Sequence, residues 1–140
     1  KFKAALVGGA AGAFIPPHLL DVKMDFHNLA EFKAVLGSGA ILVMSEEKCI
    51  AEMLWSILRF FRHESCGKCS PCSKGTELLY RLITRVLRCK GSESDLQQML
   101  SVSEGMQVSL CALGQSPQMP IRSALQYFPE DFAGYIKQAN

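Results

Sequence analysis

No uninterrupted apolar stretch in this 140-residue chain approaches the ~18 residues needed to cross a bilayer as a helix. Direct membrane insertion is therefore not expected. Charge of one sign is also missing: 15 Lys and Arg stand against 13 Asp and Glu, a formal net charge of +2. Such a balance gives no argument for nucleic acid or an anionic lipid surface as a partner, and no nucleic-acid partner is expected. The basic residues are scattered, apart from a local group at Arg59, Arg62, Lys68 and Lys74. A G-x-G-x-x-G phosphate loop is lacking as well. The stretch "LVGGAAGAF" has the wrong spacing, and Asp21 and Asp25 read as loop and helix-cap residues rather than ribose partners. Nor is there a catalytic dyad or triad, an internal repeat or a low-complexity segment. The opening "KFKAALVGGAAGAFIPP" imitates a secretory leader, but Gly8, Gly9, Gly12 and the Pro16–Pro17 pair would break its apolar helix. Beginning at Lys rather than Met, the sequence reads as a fragment or a processed piece.

What is present is an ordinary globular balance, 49% apolar and 20% charged, in a length that suits one modest domain or two small ones. Two regions differ in character, residues 1–44 and residues 45–140. The first carries short apolar runs cut by Gly and Pro. "AILVMS" after "GSG" reads as a buried strand, and "FHNLAEFKAVLGSG" as a helix that stops at Gly37. This part is expected to be a short and incomplete α+β segment. The second region reads as helical. Ser45 is placed to cap a helix with Glu46 and Glu47 in its first turn, and that helix should end near Arg62 or His63. A second is expected from about Gly75 to Cys89, with Gly91 as its terminator and "SESD" at 92–95 capping a third. "SLCALGQSP" breaks the periodicity, after which Pro120 and Pro129 mark two more short helices. The fold class is thus mostly α: a small helical bundle preceded by a short α+β segment.

Three of the six cysteines, Cys66, Cys69 and Cys72, crowd into "ESCGKCSPCSKG". Disulfide scaffolds spread their cysteines to staple distant loops, so this crowding points to a metal or cluster in a reducing compartment. A Cys-x2-Cys-x2-Cys run suits a [4Fe–4S] cubane, because one loop offers each thiolate to a different iron while the fourth iron takes a distant Cys. Zinc more often sits between two separated pairs; it and thiol or disulfide chemistry are the alternatives. Pro71 is expected to hold the segment out of helix, and Gly67 to let the backbone approach closely. Lys68, Lys74 and the amides of the following helix would offset the negative charge of such a site. The fourth ligand is then Cys49, Cys89 or Cys111, unless His18 or His63 substitutes. Cys49, beside Ile50, reads as packing, Cys89 as a core thiol on an apolar stripe, and His63 as a surface residue. Cys111 is favoured because it lies in the aperiodic stretch with Gly114 and Pro117, where backbone amides are free to reach sulfur.

Together, "ESCGKCSPCSKG" and "SLCALGQSP" resemble the cluster-binding C-terminal domain of one family. That family is the NADH- and flavin-binding subunit of NADH:quinone oxidoreductase (respiratory complex I), with relatives in NAD(P)-linked hydrogenases and formate dehydrogenases. "GGAAGAFIP" is similar to its Gly-rich strand-loop, and "GSGAILVMSEEKC" to the segment joining its ubiquitin-like (SLBB-type) domain to the helical bundle. The resemblance therefore covers nearly all of the chain. It departs at Ser73, where the family usually has arginine, and at Ala10 and Ala11, where proline and serine are usual. The resemblance implies that Cys66, Cys69, Cys72 and Cys111 ligate one [4Fe–4S] cluster and that Cys49 and Cys89 do not. It further implies one-electron relay from flavin to other redox centres, with the FMN and NADH sites upstream and missing here. Expected partners are that upstream domain and other iron–sulfur subunits of a peripheral, cytoplasmic complex. Alone, the fragment is expected to be inactive, and an open sheet edge could pair it with a second copy. The rival reading is a non-catalytic helical interaction module stapled by zinc or a cluster.

Overall fold

The computed structural model describes residues 1–139, with side chains described through Lys137. Strand β1 (Phe2–Val7) lies between β2 (Ala13–Ile15) and β3 (Ile41–Ser45) in a three-stranded antiparallel sheet. The register sets Ala5 opposite both Ile15 and Val43. The unbroken apolar run at residues 4–7 of β1 follows from cover on both of its faces. Ala4 and Leu6 join Phe14 and Met44 against the helices, whereas Ala5 and Val7 join Ala13, Ile15, Leu29 and Ala34 on the opposite side.

The short helix α1 (Phe26–Glu31) is capped by Asp25, whose carboxylate accepts the Asn28 amide at 2.8 Å. It stops well before Gly37. Lys33 takes a left-handed φ of 52°, and the amides of Lys33 and Ala34 close on the carbonyls of Ala30 and Leu29 in a Schellman ending. The segment "AILVMS" is a strand as expected, but not a buried one. Only Met44 is buried; Ile41, Leu42 and Val43 are exposed, Val43 at 65%, because β3 is an edge strand. The other edge, β2, is covered: the Ser123 hydroxyl accepts the Phe14 amide at 2.9 Å.

Helices α2 (Ile50–Glu64), α3 (Ser70–Leu87), α4 (Glu93–Gly105), α5 (Ala112–Gln115), α6 (Gln118–Tyr127) and α7 (Pro129–Ala139) form the bundle. Ser45 ends β3 and does not cap α2. Cys49 is the N-cap residue, and the missing acceptor comes from α7, where the Asp131 carboxylate takes the Ile50 amide at 2.6 Å. The same oxygen binds the Lys3 ammonium of β1 at 2.6 Å, so sheet, α2 and α7 meet at one carboxylate.

Helix α3 begins at Ser70 rather than near Gly75. Pro71 does not keep the segment out of helix; it sits in the first turn, where its missing N–H is no loss and its fixed φ is already helical. At the other end Cys89 has a left-handed φ of 55°, and the amides of Cys89 and Lys90 close on Val86 and Arg85. Cys89 is therefore the turn residue of a second Schellman ending, half-buried, rather than a core thiol. Ser92 and Asp95 form the expected capping box of α4. Glu77 bridges Arg62 of α2 and Arg81. The hydrogen bond from Arg81, with that from Arg62, holds its carboxyl below the usual range, so this clamp persists above the ordinary glutamate pKa and is lost only as pH falls through the lowered one. A single large core runs from Ala4, Leu6 and Phe14 through Leu54, Leu58, Leu79 and Ile83 to Ile121 and Phe132.

Removing the Asp131 carboxylate strips α2 of its acceptor and leaves the mostly buried Lys3 ammonium without its counter-ion, with only the Lys48 carbonyl at 2.8 Å to accept from it. Asp131→Ala is expected to destabilise the protein by about 3 kcal/mol. Lys3→Ala should cost less, because the Ile50 amide keeps its acceptor. Urea denaturation of the two variants checks that order.

Candidate metal centre

Two segments far apart in sequence make the site. In the first, α2 ends at Glu64, Ser65 leads the chain away with ψ 123°, and Gly67 turns it with a φ of 79°. Cys69 is then the extended N-cap residue of α3, and Cys72 lies buried in the first turn. In the second, α4 passes into a 3-10 turn at Met106–Val108, followed by Ser109, Leu110 and Cys111, the N-cap residue of α5.

Two glycines let these segments close on each other. Gly75 of α3 faces buried Met106, whose Cγ would lie 2.6 Å from an added Cβ. A Cβ on Gly114 of α5 would come within 2.5 Å of Ser109 Cβ and 2.9 Å of Cys72 Cβ. Two glutamines tie the returning loop: Gln115 donates to the Ser109 carbonyl at 3.0 Å, and Gln107 donates to the Gln115 carbonyl at 2.8 Å.

The outcome is one cavity of about 330 Å3 lined by Cys66, Cys69, Cys72 and Cys111, together with Glu64, Gly67, Lys68, Leu110 and Leu113. The other candidates lie elsewhere. Cys49 sits by α7, its sulfur 3.9 Å from the Tyr135 hydroxyl, whose pKa is raised by burial and by a hydrogen bond to Glu52. His63 is exposed beside Glu64, and His18 packs edge-on against Tyr127. Of the two lysines expected to offset charge, Lys68 lines the cavity. Lys74 lies instead in a neighbouring depression with Ser73, Glu77 and Arg81.

The electrostatics favour thiolate. The Leu110 amide and the Cys72 amide hold the Cys69 thiol below its ordinary pKa. Those amides belong to the two different segments, so both walls of the cavity act on one sulfur. The 18-residue α3 also directs its N-terminal amides towards this end. Among the described residues no three His, Cys, Asp or Glu side chains gather around a single ion position. The four thiols are instead spread around a roomy cavity with Leu110 and Leu113 in its wall. An all-sulfur donor set in that arrangement fits an iron–sulfur cluster.

Residues 52–135 match the family described as the NADH-ubiquinone oxidoreductase-F iron-sulfur binding region. The chain belongs to this family. Over 139 residues it is 34% identical to the F 2 subunit of the NADH-quinone oxidoreductase of Rhizobium meliloti (strain 1021), covering 99% of this chain and 33% of that protein. It is also 36% identical over 136 residues to the HndC subunit of the NADP-reducing hydrogenase of Solidesulfovibrio fructosivorans, covering 96% of this chain and 28% of the relative. The chain therefore spans about a third of the length of these relatives. The crystal structure of the NAD+-reducing [NiFe]-hydrogenase in the H2-reduced state superposes with a TM-score of 0.84 at 25% identity, over 96% of this chain and 23% of that one. In this iron–sulfur binding region, Ser65, Ser109, Leu113, Gln107 and Gln115 carry no motif that marks them as parts of a site. Gly67, Lys68 and Gly114 are the neighbours that sequence inspection does single out.

If close approach at Gly114 sets the cavity, Gly114→Ala should push α5 away from α3. Iron retained after anaerobic reconstitution should then fall well below wild type. Gly134→Ala, where a Cβ meets nothing within 4 Å, should retain full iron.

Proposed function

We propose that Cys66, Cys69, Cys72 and Cys111 ligate one [4Fe–4S] cluster, and that the chain is the electron-relay end of an NADH-oxidising flavoprotein subunit. One observation carries this reading: Cys111 returns to the three-cysteine loop around a single cavity. When bound, the cluster supplies one-electron chemistry, gaining and losing a single electron with no bond to carbon made or broken. The chain's own residues hold four thiolates, place Leu110 and Leu113 against one wall, and direct backbone amides at the sulfur of Cys69.

FMN and NADH then bind in the upstream region, and other iron–sulfur subunits of a peripheral, cytoplasmic complex receive the electrons. The present chain by itself turns over no NADH. Consistent with a peripheral subunit, no helix among the described residues is long and apolar enough to cross a membrane. Residues 1–44 are proposed as the end of a ubiquitin-like domain and 45–140 as the cluster domain, the two sharing one core. The exposed Ile41–Val43 edge is the surface that upstream chain would cover, or a second copy in the isolated fragment.

Cys111→Ala should abolish the four-iron cluster, whereas Cys89→Ala should leave iron and sulfide per chain unchanged after anaerobic reconstitution. Loss of the cluster with Cys89→Ala and its retention with Cys111→Ala would overturn the ligand assignment.

A further inference from the structure

Two serine hydroxyls meet the cysteine site from different elements. Ser65, the residue that ends α2, places Oγ 3.3 Å from the buried Cys72 sulfur. Ser109, in the loop before Cys111, is only 5% exposed. Its hydroxyl is the one buried side-chain oxygen or nitrogen among the described residues with no hydrogen-bond partner. A buried donor without an acceptor is costly, and native proteins rarely keep one without a use. The position of Ser109 supplies the use. It stands across Gly114 from Cys72 and is next in the chain to Leu110, which lines the cavity together with Cys69 and Cys72. Neutral thiols are poor acceptors, whereas thiolates bound to iron accept hydrogen bonds readily.

We infer that Ser65 and Ser109 are positioning residues that donate hydrogen bonds to the sulfurs of Cys72 and Cys69 in the cluster-loaded protein and so raise its reduction potential. The inference rests on the cluster proposed above. Reduction adds negative charge, most of it shared with the sulfurs. A donor aimed at a thiolate therefore stabilises the reduced form more than the oxidised form. The absence of a Cβ at Gly114 gives the Ser109 hydroxyl its space in the wall, and the ending of α2 at Glu64 frees Ser65 to turn towards Cys72.

The test is an EPR-monitored redox titration of the cluster-loaded full-length protein, with iron and sulfide counted in the same samples. Ser109→Ala should keep full iron and shift the reduced-to-oxidised ratio at fixed potential by about tenfold, a fall of about 59 mV in midpoint for a one-electron couple. Ser65→Ala should shift it in the same direction by less, since Ser65 is half-buried, and Ser65→Thr should restore it. Unshifted midpoints with full iron overturn the inference and leave the cluster assignment intact. Loss of iron from Ser109→Ala overturns the role of Ser109 and makes it structural, with the Ser65→Ala midpoint then deciding the role of Ser65. A wild-type protein with no four-iron signal refutes the underlying reading instead, so the two failures are distinct.

Discussion

The site depends on how closely the first turns of α3 approach the segment 106–114. Both closest contacts run through a glycine: Gly75 against Met106, and Gly114 against Ser109 and Cys72. A methyl group at either point has nowhere to go, because Met106 is buried on all sides and the short side chains facing Gly114 cannot swing away. With the contacts in place, the Leu110 amide and the Cys72 amide, from separate segments, converge on one sulfur. Thiolate stabilisation and the shape of the cavity are thus consequences of the same packing.

Around that contact the fold is a rigid frame. Helix α3 is wedged between α2 and α4 by Leu79, Leu82, Ile83 and Val86, and the Glu77 clamp fixes the end of α2 beside the cysteine loop. The sheet is part of the frame through Ala4, Leu6, Phe14 and Met44, and it is pinned to the start of α2 by Lys3 and Asp131. The cavity has a buried floor at Cys72 and an exposed rim at Cys66 and Cys111. A group held there is screened on one side and approachable on the other.

Much of this was legible in the sequence, for reasons that can be named. The three-four repeat of Ile50, Leu54, Ile57, Leu58 and Phe61 marks a helix because only a helix gathers those side chains on one face. The cysteine spacing marks the loop, and the aperiodic stretch around Cys111 marks the returning segment. Helix ends were less legible, since caps come from residues distant in sequence: Asp131 serves α2, and Ser45 next to it does not. Pro71 misleads because the same ring that excludes helix before it favours helix starting at it. Cys89 reads as core from its spacing, but a Schellman ending needs a left-handed residue there, and the chain places a cysteine in it. Ile41–Val43 reads as buried because composition cannot show that β3 stands at an edge. Ser65 and Ser109 were invisible, since an isolated serine carries no period and no motif.

The central claim is that this packing holds one four-iron cluster on four thiolates. Iron and acid-labile sulfide per chain, measured with the EPR spectrum of the dithionite-reduced, anaerobically prepared protein, test it most directly. The account predicts four irons and four sulfides with a signal from a one-electron-reduced cluster. A colourless protein holding one zinc, no sulfide and no signal would contradict it.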